Sequence, residues 1–182
     1  ALRVLSTATF LAMVSSCATA AFAGTYYMED GSISIVAKTD GNYITQGDIN
    51  DKKDEGETVI TNHNSETASK NTVTIKTEKD CTANVTLDNV NINASDTGKA
   101  AFFVTDTGAT EIELSGDNTL VSGSGHAGLE KSDNTGNGTL IIKDDKNDDG
   151  TEKTEEQKKA ETESGKGAGS LTATGGAGGA GI

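Results

Sequence analysis

The stretch that decides the fold is residues 82–122, TANVTLDNVNINASDTGKAAFFVTDTGATEIELSGDNTLVS. Val, Ile and Leu alternate in it with Thr, Asn, Asp and Glu, and this period of two is typical of strands that bury one face. Short corners rich in Asn, Asp and Gly, which tolerate positive φ, separate the alternating runs. One corner is Asp88 and Asn89, and another is predicted at residues 115–118. The stretch therefore predicts several short strands joined by tight turns.

The same unit recurs along the chain at a nearly constant interval. Leu114 follows Leu87 by 27 residues, and Ile142 follows Leu114 by 28. A third short apolar element follows each pair of strands, at residues 100–104, 126–129 and 179–182. Short strands repeated at a fixed period indicate a solenoid. We therefore expect an all-β fold, a right-handed parallel β-helix, in which each turn buries its apolar positions against the next.

The composition agrees with a thin core. Of the 182 residues, 33% are hydrophobic and 4% aromatic, which is too little for a thick globular interior but enough for a narrow solenoid. The 22 glycines and the absence of proline fit strands joined by tight corners, although partial disorder is the competing interpretation. The chain starts without Met and stops inside a glycine repeat, so we expect it to be part of a longer protein.

The charge balance narrows the class of partner. The formal net charge is −13, from 28 acidic and 15 basic residues. Phosphate contacts need clustered Lys and Arg, so we expect neither nucleic acid nor an anionic membrane as a partner. Metal cations are the more natural partners of such a field.

Residues 1–23, ALRVLSTATFLAMVSSCATAAFA, predict a signal peptide. Arg3 precedes a short apolar run at residues 10–14, and small residues follow up to an A-x-A ending, which predicts cleavage after Ala23. The apolar run is too short to span a bilayer, so no membrane span is expected. Residues 14–17, VSSC, also resemble a bacterial lipobox, which would anchor the protein by a lipid on Cys17. Either route predicts a secreted or cell-surface protein.

The rest of the chain divides into two predicted parts. Residues 24–70 are less regular and predict an N-terminal cap and irregular first turn, which would cover an open sheet edge. Residues 71–182 predict the regular turns of the β-helix, interrupted by a charged insert at residues 144–168. Within the cap we expect strands at residues 32–37, 43–44 and 58–61, with a polar loop at 46–56.

The strongest local motif is residues 145–156, DKNDDGTEKTEE, which matches D-x-[DN]-x-[DN]-G-x5-E over its full length. Oxygens at positions one, three and five, a carbonyl at seven and a bidentate Glu at twelve can surround a calcium ion, while Gly permits the sharp turn. The segment resembles an EF-hand or dockerin-type calcium loop. The predicted ligands are Asp145, Asn147, Asp149, the carbonyl oxygen of Thr151, and Glu156.

Two departures from that motif leave a second interpretation open. Position eight, which is normally apolar, is Glu152, and residues 140–143 before the loop predict a strand instead of a helix. A solvated acidic loop would fit the same residues. Residues 154–164, TEEQKKAETES, could form one helix; without an apolar face, the segment would stand in solvent or stay disordered.

Four segments carry a family resemblance: TANVTLDNVNI, AAFFVTDTGATEIELSGDNTLVSG, GTLIIKD and GSLTATGGAGGAGI. They resemble the repeats of secreted bacterial proteins described as carbohydrate-binding, with a polysaccharide-lyase-like β-helix. The resemblance covers residues 72–182 apart from the insert. It implies an extracellular, non-catalytic binder of plant or cell-wall polysaccharide, sometimes with bound calcium. The shared pattern is core and corner, so it carries over no site residue.

Aromatic side chains are the first place to look for a sugar site. Polysaccharide sites usually stack pyranose rings on Trp or Tyr, and this chain has no Trp. The exposed candidates are Tyr26, Tyr27 and Tyr43, with Phe102 or Phe103 according to strand register.

Three functions compete on the sequence alone. The first is an extracellular module that binds a polysaccharide or cell-surface glycan, with calcium as a cofactor if the loop holds it. The second is a structural or adhesive surface solenoid without sugar specificity. The third is a polysaccharide lyase, whose base would have to be a lysine such as Lys99, Lys131 or Lys143. We expect no enzyme, and the oligomeric state stays open.

Overall fold

The computed structural model describes residues 24–132, 138–144, 146, 151–164 and 169–182. The predicted signal peptide and most of the predicted calcium loop lie outside these residues. The described strands are β1 Thr25–Tyr27, β2 Ile33–Lys38, β3 Gly41–Gln46, β4 Ile49–Lys53, β5 Thr58–Thr61, β6 Val73–Thr77, β7 Thr82–Asp88, β8 Asn91–Asn93, β9 Phe102–Asp106, β10 Ala109–Val121, β11 Leu129–Ser132, β12 Thr139–Lys143 and β13 Gly169–Thr174. A short 3₁₀ turn occupies Met28–Asp30, and the α-helix α1 is Glu155–Ser164.

These strands form two sheets. The first runs in the order β1-β5-β7-β10-β12, and β10 also pairs with β8 and β13. The second runs β11-β9-β6-β2-β3-β4. Within the described residues the strand pairs are parallel, apart from the antiparallel pairs β2 with β3 and β3 with β4. The predicted all-β class is confirmed, with parallel and mixed sheets and one short helix.

The parallel pairing brings equivalent residues of successive segments side by side. In the first sheet, Val85 pairs with Thr58 on one side and Ile112 on the other, and Ile112 pairs with Ile142. In the second sheet, Ile75 lies between Ile35 and Val104. A residue in one strand thus has a neighbour of the same orientation in the next strand, because side chains alternate between faces with a period of two.

The core is built from these aligned residues. One set, drawn from β2, β6, β9 and β11 of the second sheet, is Ile33, Val73, Phe102 and Leu129, none more than 2% exposed. The first sheet contributes further buried residues: Ile60, Ala83, Val85, Leu87, Ile112 and Leu114. Each fully buried aliphatic or aromatic side chain contributes about 1.5–3 kcal/mol relative to exposure. The alternation seen in the sequence therefore maps directly onto the core.

The corner predicted at residues 115–118 does not separate two strands, because these residues lie within β10. The strand continues through this segment without interruption and changes partners there: its first half pairs with β7 and β12, its second half with β8 and β13. Gly116 has a φ of 61°, and an added Cβ would lie 2.3 Å from the Asn89 Oδ1. Asn89 has a φ of 52° in the neighbouring segment. The chain thus bends at the predicted position, but parallel neighbours on both sides keep it hydrogen-bonded as a strand.

The buried Asn118 side chain holds this bend together. Its amide donates to the carbonyl oxygens of Ser115 and Ser170, both at 3.1 Å, and its Oδ1 accepts from the Val90 N–H at 2.9 Å. It is 1% exposed. One side chain therefore satisfies backbone groups in three segments that are distant in sequence, as buried polar groups require.

Another correction concerns residues 46–56, predicted as a polar loop. They contain β4, because Gly47 adopts a φ of 54° and with Asp48 forms a two-residue turn back from β3. The strand β4 lies at the end of the second sheet and exposes Asp51 and Lys52. Charged residues on an edge strand discourage further pairing. The strand predicted at residues 58–61 is confirmed as β5.

The third elements predicted in each repeat are borne out unevenly. The strand β9 occupies the first, while β11 begins only at Leu129. Residues 179–182 form no strand, although the Leu129 N–H still donates to the Gly181 carbonyl at 3.0 Å. Glycine allows this approach: a Cβ at Gly179 would lie 1.9 Å from the His126 carbonyl oxygen. At Gly179 the two segments therefore lie too close together for a side chain.

The helix predicted in the charged insert is confirmed as α1. No helix in the described part of the chain is both long enough and apolar enough to cross a membrane.

Ile75→Ala should lower the free energy of unfolding by about 2–5 kcal/mol, since it opens a cavity between Ile35 and Val104. Guanidinium unfolding followed by circular dichroism measures the change. Lys76→Ala, at the exposed neighbouring position, should change it by less than about 0.5 kcal/mol. Equal losses in the two variants would contradict the aligned core.

Asn118→Ala should lower the free energy of unfolding by about 1–3 kcal/mol, because the buried Val90 N–H and the Ser170 carbonyl each lose a hydrogen-bond partner. Asn50→Ala, on the exposed edge strand, is the matched control and should be near neutral. Denaturant unfolding of both variants is the measurement. A neutral Asn118→Ala would show that these backbone groups find other partners.

Candidate functional site

An aromatic groove lies on the outer face of the second sheet. Parallel register aligns Ser34, Thr74, Phe103 and Glu130 across β2, β6, β9 and β11. Their neighbours in sequence point into the core, as the fully buried Phe102 shows. The register left open by the sequence therefore assigns Phe103 to the surface and Phe102 to the interior.

A cavity of about 220 Å³ lies beside Phe103. Its walls are Thr72, Thr74, Phe103, His126 and residues 98–100. We call this set the Phe103 groove. Its volume is below the ~300–1,000 Å³ of pockets that enclose whole drug-sized ligands. The groove therefore suits one part of a longer molecule.

The imidazole of His126 is fixed at one wall of the Phe103 groove. Its Nδ1 lies 2.7 Å from the Glu130 Oε2, and the Ala127 N–H donates to the same oxygen at 3.3 Å. The carboxylate accepts both bonds, so Nδ1 carries the proton and Nε2 is left for another partner. The His126 side chain is 35% exposed, so a ligand in solution can reach it.

Lys99 brings a cation to the same groove. It is exposed, and within the described part of the chain no carboxylate lies within 4.0 Å of its ammonium group. Nearby Lys70, in contrast, forms an ion pair with Asp96. The residues that line the Phe103 groove therefore include one aromatic residue, two threonines, a histidine held by Glu130 and an exposed lysine.

The other aromatic candidates have different surroundings. Tyr26 is 8% exposed, and burial together with the nearby Asp54 raises the pKa of its hydroxyl to about 12. Tyr27 stacks on His63, with 3.8 Å between ring centroids and 9° between planes. Lys38 places its ammonium 3.8 Å from the Tyr43 ring centroid. At Tyr27 and Tyr43 a side chain of the protein already covers one ring face.

The three lysines considered as catalytic bases lie on different elements. Lys99 belongs to the groove, Lys131 to β11 of the second sheet and Lys143 to β12 of the first sheet. Lys143 donates to the Glu111 Oε2 at 2.9 Å.

The predicted calcium ligands lie only partly within the described residues. Asp145, Asn147 and Asp149 lie outside them. Thr151 and Glu156 are described, and both are exposed, with Glu156 in the first turn of α1. Among the described residues, no group of three or more His, Cys, Asp or Glu side chains is placed to hold a metal ion. Calcium binding therefore stays a prediction.

Lysines attach the segment around the predicted calcium loop to the first sheet. Lys146 donates through Nζ to the Glu57 Oε1 at 2.9 Å and through its backbone N–H to the Glu113 Oε1 at 2.8 Å. The buried Lys153 ammonium lies 2.6 Å from the Asp144 Oδ1. Lys146 is thus tied to Glu57, just before β5, and to Glu113 of β10, whereas the Lys153–Asp144 pair joins two residues that flank the loop.

The environment of Glu57 favours its charged form. Partial burial opposes ionisation, but hydrogen bonds from Thr86 and Lys146 outweigh it and hold the pKa of the Glu57 carboxyl below its ordinary value. Glu57 therefore stays a carboxylate, and an anchor for Lys146, at neutral pH.

The sequence did not reveal the Phe103 groove as a site. Thr72, Lys99 and His126 come from three different segments, and none belongs to a recognisable motif. One signal was present: these residues recur at intervals of 27 residues, close to the spacing of the apolar repeat. Parallel strands at that spacing place such residues side by side.

Comparison with known proteins returns no relative for this chain. No protein-family model, curated protein or solved structure matches it. The resemblance to carbohydrate-binding β-helix proteins therefore stays a prediction, and any function rests on the geometry of the site.

Proposed function

We propose that the chain is an extracellular carbohydrate-binding module that acts without chemistry, built as a right-handed parallel β-helix. The observation that carries this proposal is the Phe103 groove. A pyranose ring has an apolar face of C–H groups and a rim of hydroxyls. The groove offers suitable chemistry, because Phe103 lines it together with Thr72, Thr74 and His126, whose side chains can hydrogen-bond to hydroxyls.

The proposed ligand is a polymer instead of a free sugar. The cavity of about 220 Å³ is open at the surface and suits one residue of a chain whose neighbours continue along the sheet. Lys99 favours a sugar that carries a carboxylate, since that ammonium group is exposed and has no carboxylate within 4.0 Å in the described part of the protein. An acidic glycan is therefore the favoured ligand class.

The proposed β-helix is supported by the parallel register of both sheets. In the first sheet, Thr58, Val85, Ile112 and Ile142 are aligned at intervals of 27, 27 and 30 residues. We place the N-terminal cap at residues 24–70, where the antiparallel strands β3 and β4 end the second sheet. Secretion follows from the predicted leader at residues 1–23, with lipid attachment at Cys17 as the alternative.

Calcium enters the proposal as a cofactor of the loop at residues 145–156. Its proposed ligands are Asp145, Asn147, Asp149, the Thr151 carbonyl and Glu156. A protein with a net charge of −13 repels an acidic glycan at long range, and a bound cation reduces that repulsion.

The aligned core also supports a second candidate, a structural or adhesive surface solenoid without sugar specificity. Stacked segments with a continuous interior make a stiff spacer whether or not a groove binds anything. Glycan binding decides between the two candidates.

Phe103→Ala should weaken binding to an acidic polysaccharide such as polygalacturonate at least tenfold, because the apolar face of the sugar loses its platform. Isothermal titration with oligogalacturonides measures the change in Kd. Tyr43→Ala is the matched control on the same sheet and should bind like the wild type. Lys99→Gln should weaken acidic ligands while leaving a neutral glucan unaffected.

Three outcomes would count against the glycan proposal. They are no binding to any acidic or neutral polysaccharide with or without calcium, equal losses in Phe103→Ala and Tyr43→Ala, and release of unsaturated product from polygalacturonate. The first favours the structural candidate and the last favours a lyase.

Calcium should bind the wild-type chain at one site with a Kd of about 0.1–1 mM, the range of extracellular modules. Asp145→Asn and Asp149→Asn should each weaken it at least tenfold, because each removes a charged ligand. Asp148→Asn changes the same charge at a position that supplies no ligand, so it should stay within about twofold of the wild type. Calorimetric titration with calcium chloride is the measurement, and equal effects of the three variants would indicate a non-specific acidic loop.

A further inference from the structure

A buried carboxylate near the start of the described chain has hydrogen bonds but no cation. Asp54 lies between β4 and β5 and is 6% exposed. Its carboxylate accepts hydrogen bonds from the Gly24 N–H at 3.0 Å, the Thr58 hydroxyl at 3.0 Å and the Gly56 N–H at 3.3 Å, and the Tyr26 hydroxyl also bonds to it. In the described part of the chain no Lys, Arg or His lies within ion-pair distance of it. Adjacent Lys53 pairs with Asp40 and Glu55 instead.

A buried carboxylate without a cationic partner lowers the stability of a folded protein. Removing a carboxylate from water carries a penalty of several kcal/mol that hydrogen bonds offset only in part, so buried charges are normally paired with an opposite charge. A cationic partner for Asp54 is therefore expected, and the Oδ1 atom of its carboxylate lies beside the Gly24 nitrogen.

The position of Gly24 is fixed by its surroundings. Its carbonyl oxygen accepts from the Val59 N–H at 2.9 Å, which ties it to β5. A Cβ on residue 24 would lie 2.4 Å from the Tyr26 hydroxyl oxygen and 2.7 Å from the Asp54 Oδ2. A larger residue would require the Tyr26 and Asp54 side chains to shift, and the Gly24 nitrogen lies 3.0 Å from the Asp54 Oδ1.

Gly24 is also the residue that follows the predicted cleavage point after Ala23. We propose that leader removal completes this site: the new α-ammonium group of Gly24 forms a buried ion pair with Asp54. A leader peptidase hydrolyses the Ala23–Gly24 peptide bond with one water molecule. Ala23 leaves as a carboxylate, and the Gly24 nitrogen becomes an amine that takes up a proton at neutral pH. This inference rests on the secretion included in the proposed function.

The ion pair would couple processing to stability. In the uncleaved chain the Gly24 nitrogen is a neutral amide that donates one hydrogen bond. In the mature chain the same atom carries a positive charge at the same distance from Asp54, and a hydrogen bond between charged groups is stronger than one from an amide. The mature protein is then more stable than its precursor at the end where β1 joins the first sheet.

N-α-acetylation separates the charge from the hydrogen bond, because an acetylated Gly24 keeps its N–H and loses its charge. The test uses residues 24–182, released from a fusion so that Gly24 is the first residue, with and without enzymatic acetylation of that residue. Acetylation should lower the Tm of the wild type by about 5 °C at pH 7. In Asp54→Asn the same acetylation should change the Tm by less than about 1 °C.

Glu55→Gln is the matched control, since it removes an exposed charge from the neighbouring residue and should keep the full effect of acetylation. An unchanged Tm on acetylation of the wild type would overturn the proposal, and this readout needs no variant to fold. Mass spectrometry of the secreted chain that shows a first residue other than Gly24 would overturn the proposal as well. Acidic-glycan binding measured on the same samples is independent of both results, so failure of this inference and failure of the proposed function can be told apart.

Discussion

The structure depends on the parallel pairing that sets most strands beside an equivalent strand of a neighbouring segment. Because side chains alternate between faces, this register aligns buried residues with buried residues, as for Ile35, Ile75 and Val104. A shift of one residue would turn the whole apolar set toward solvent. Polar side chains obey the same register: Asn118 can bond Val90 and Ser170 only while their segments stay aligned.

The sequence predicts those parts of the fold in which apolar residues recur at a strict interval. Alternating apolar residues in β7 and β10 gave the strands, their buried faces and the interval between them, and the helix α1 followed from its composition. The bend at Gly116 was located, but its hydrogen bonds were not, because they depend on neighbours in β8 and β13. The strand β4 is not predicted because Ile49 is its only apolar residue, so the segment shows no alternation.

The candidate site was harder to predict than the fold for the same physical reason. Phe102 and Phe103 look alike in sequence, and only the register of β9 against β6 decides which one faces solvent. Thr72, Lys99 and His126 have no signature individually, and their meeting depends on three segments stacking in order. The predicted calcium loop differs from the groove, because its ligands are close together in sequence and can be predicted without knowing the fold. Most of these ligands lie outside the described residues.

The alignment of strands also governs how such a chain can change length. The segment between β12 and β13 holds the helix α1 and is far longer than the corresponding stretch between the two halves of β10, yet β13 still pairs with β10 in register. Extra residues are thus tolerated where they loop out between strands. Inside a strand, a single inserted residue would misplace every side chain after it. Duplication of a complete segment would keep the register, since the copy carries its own apolar residues and its own corner to the equivalent positions.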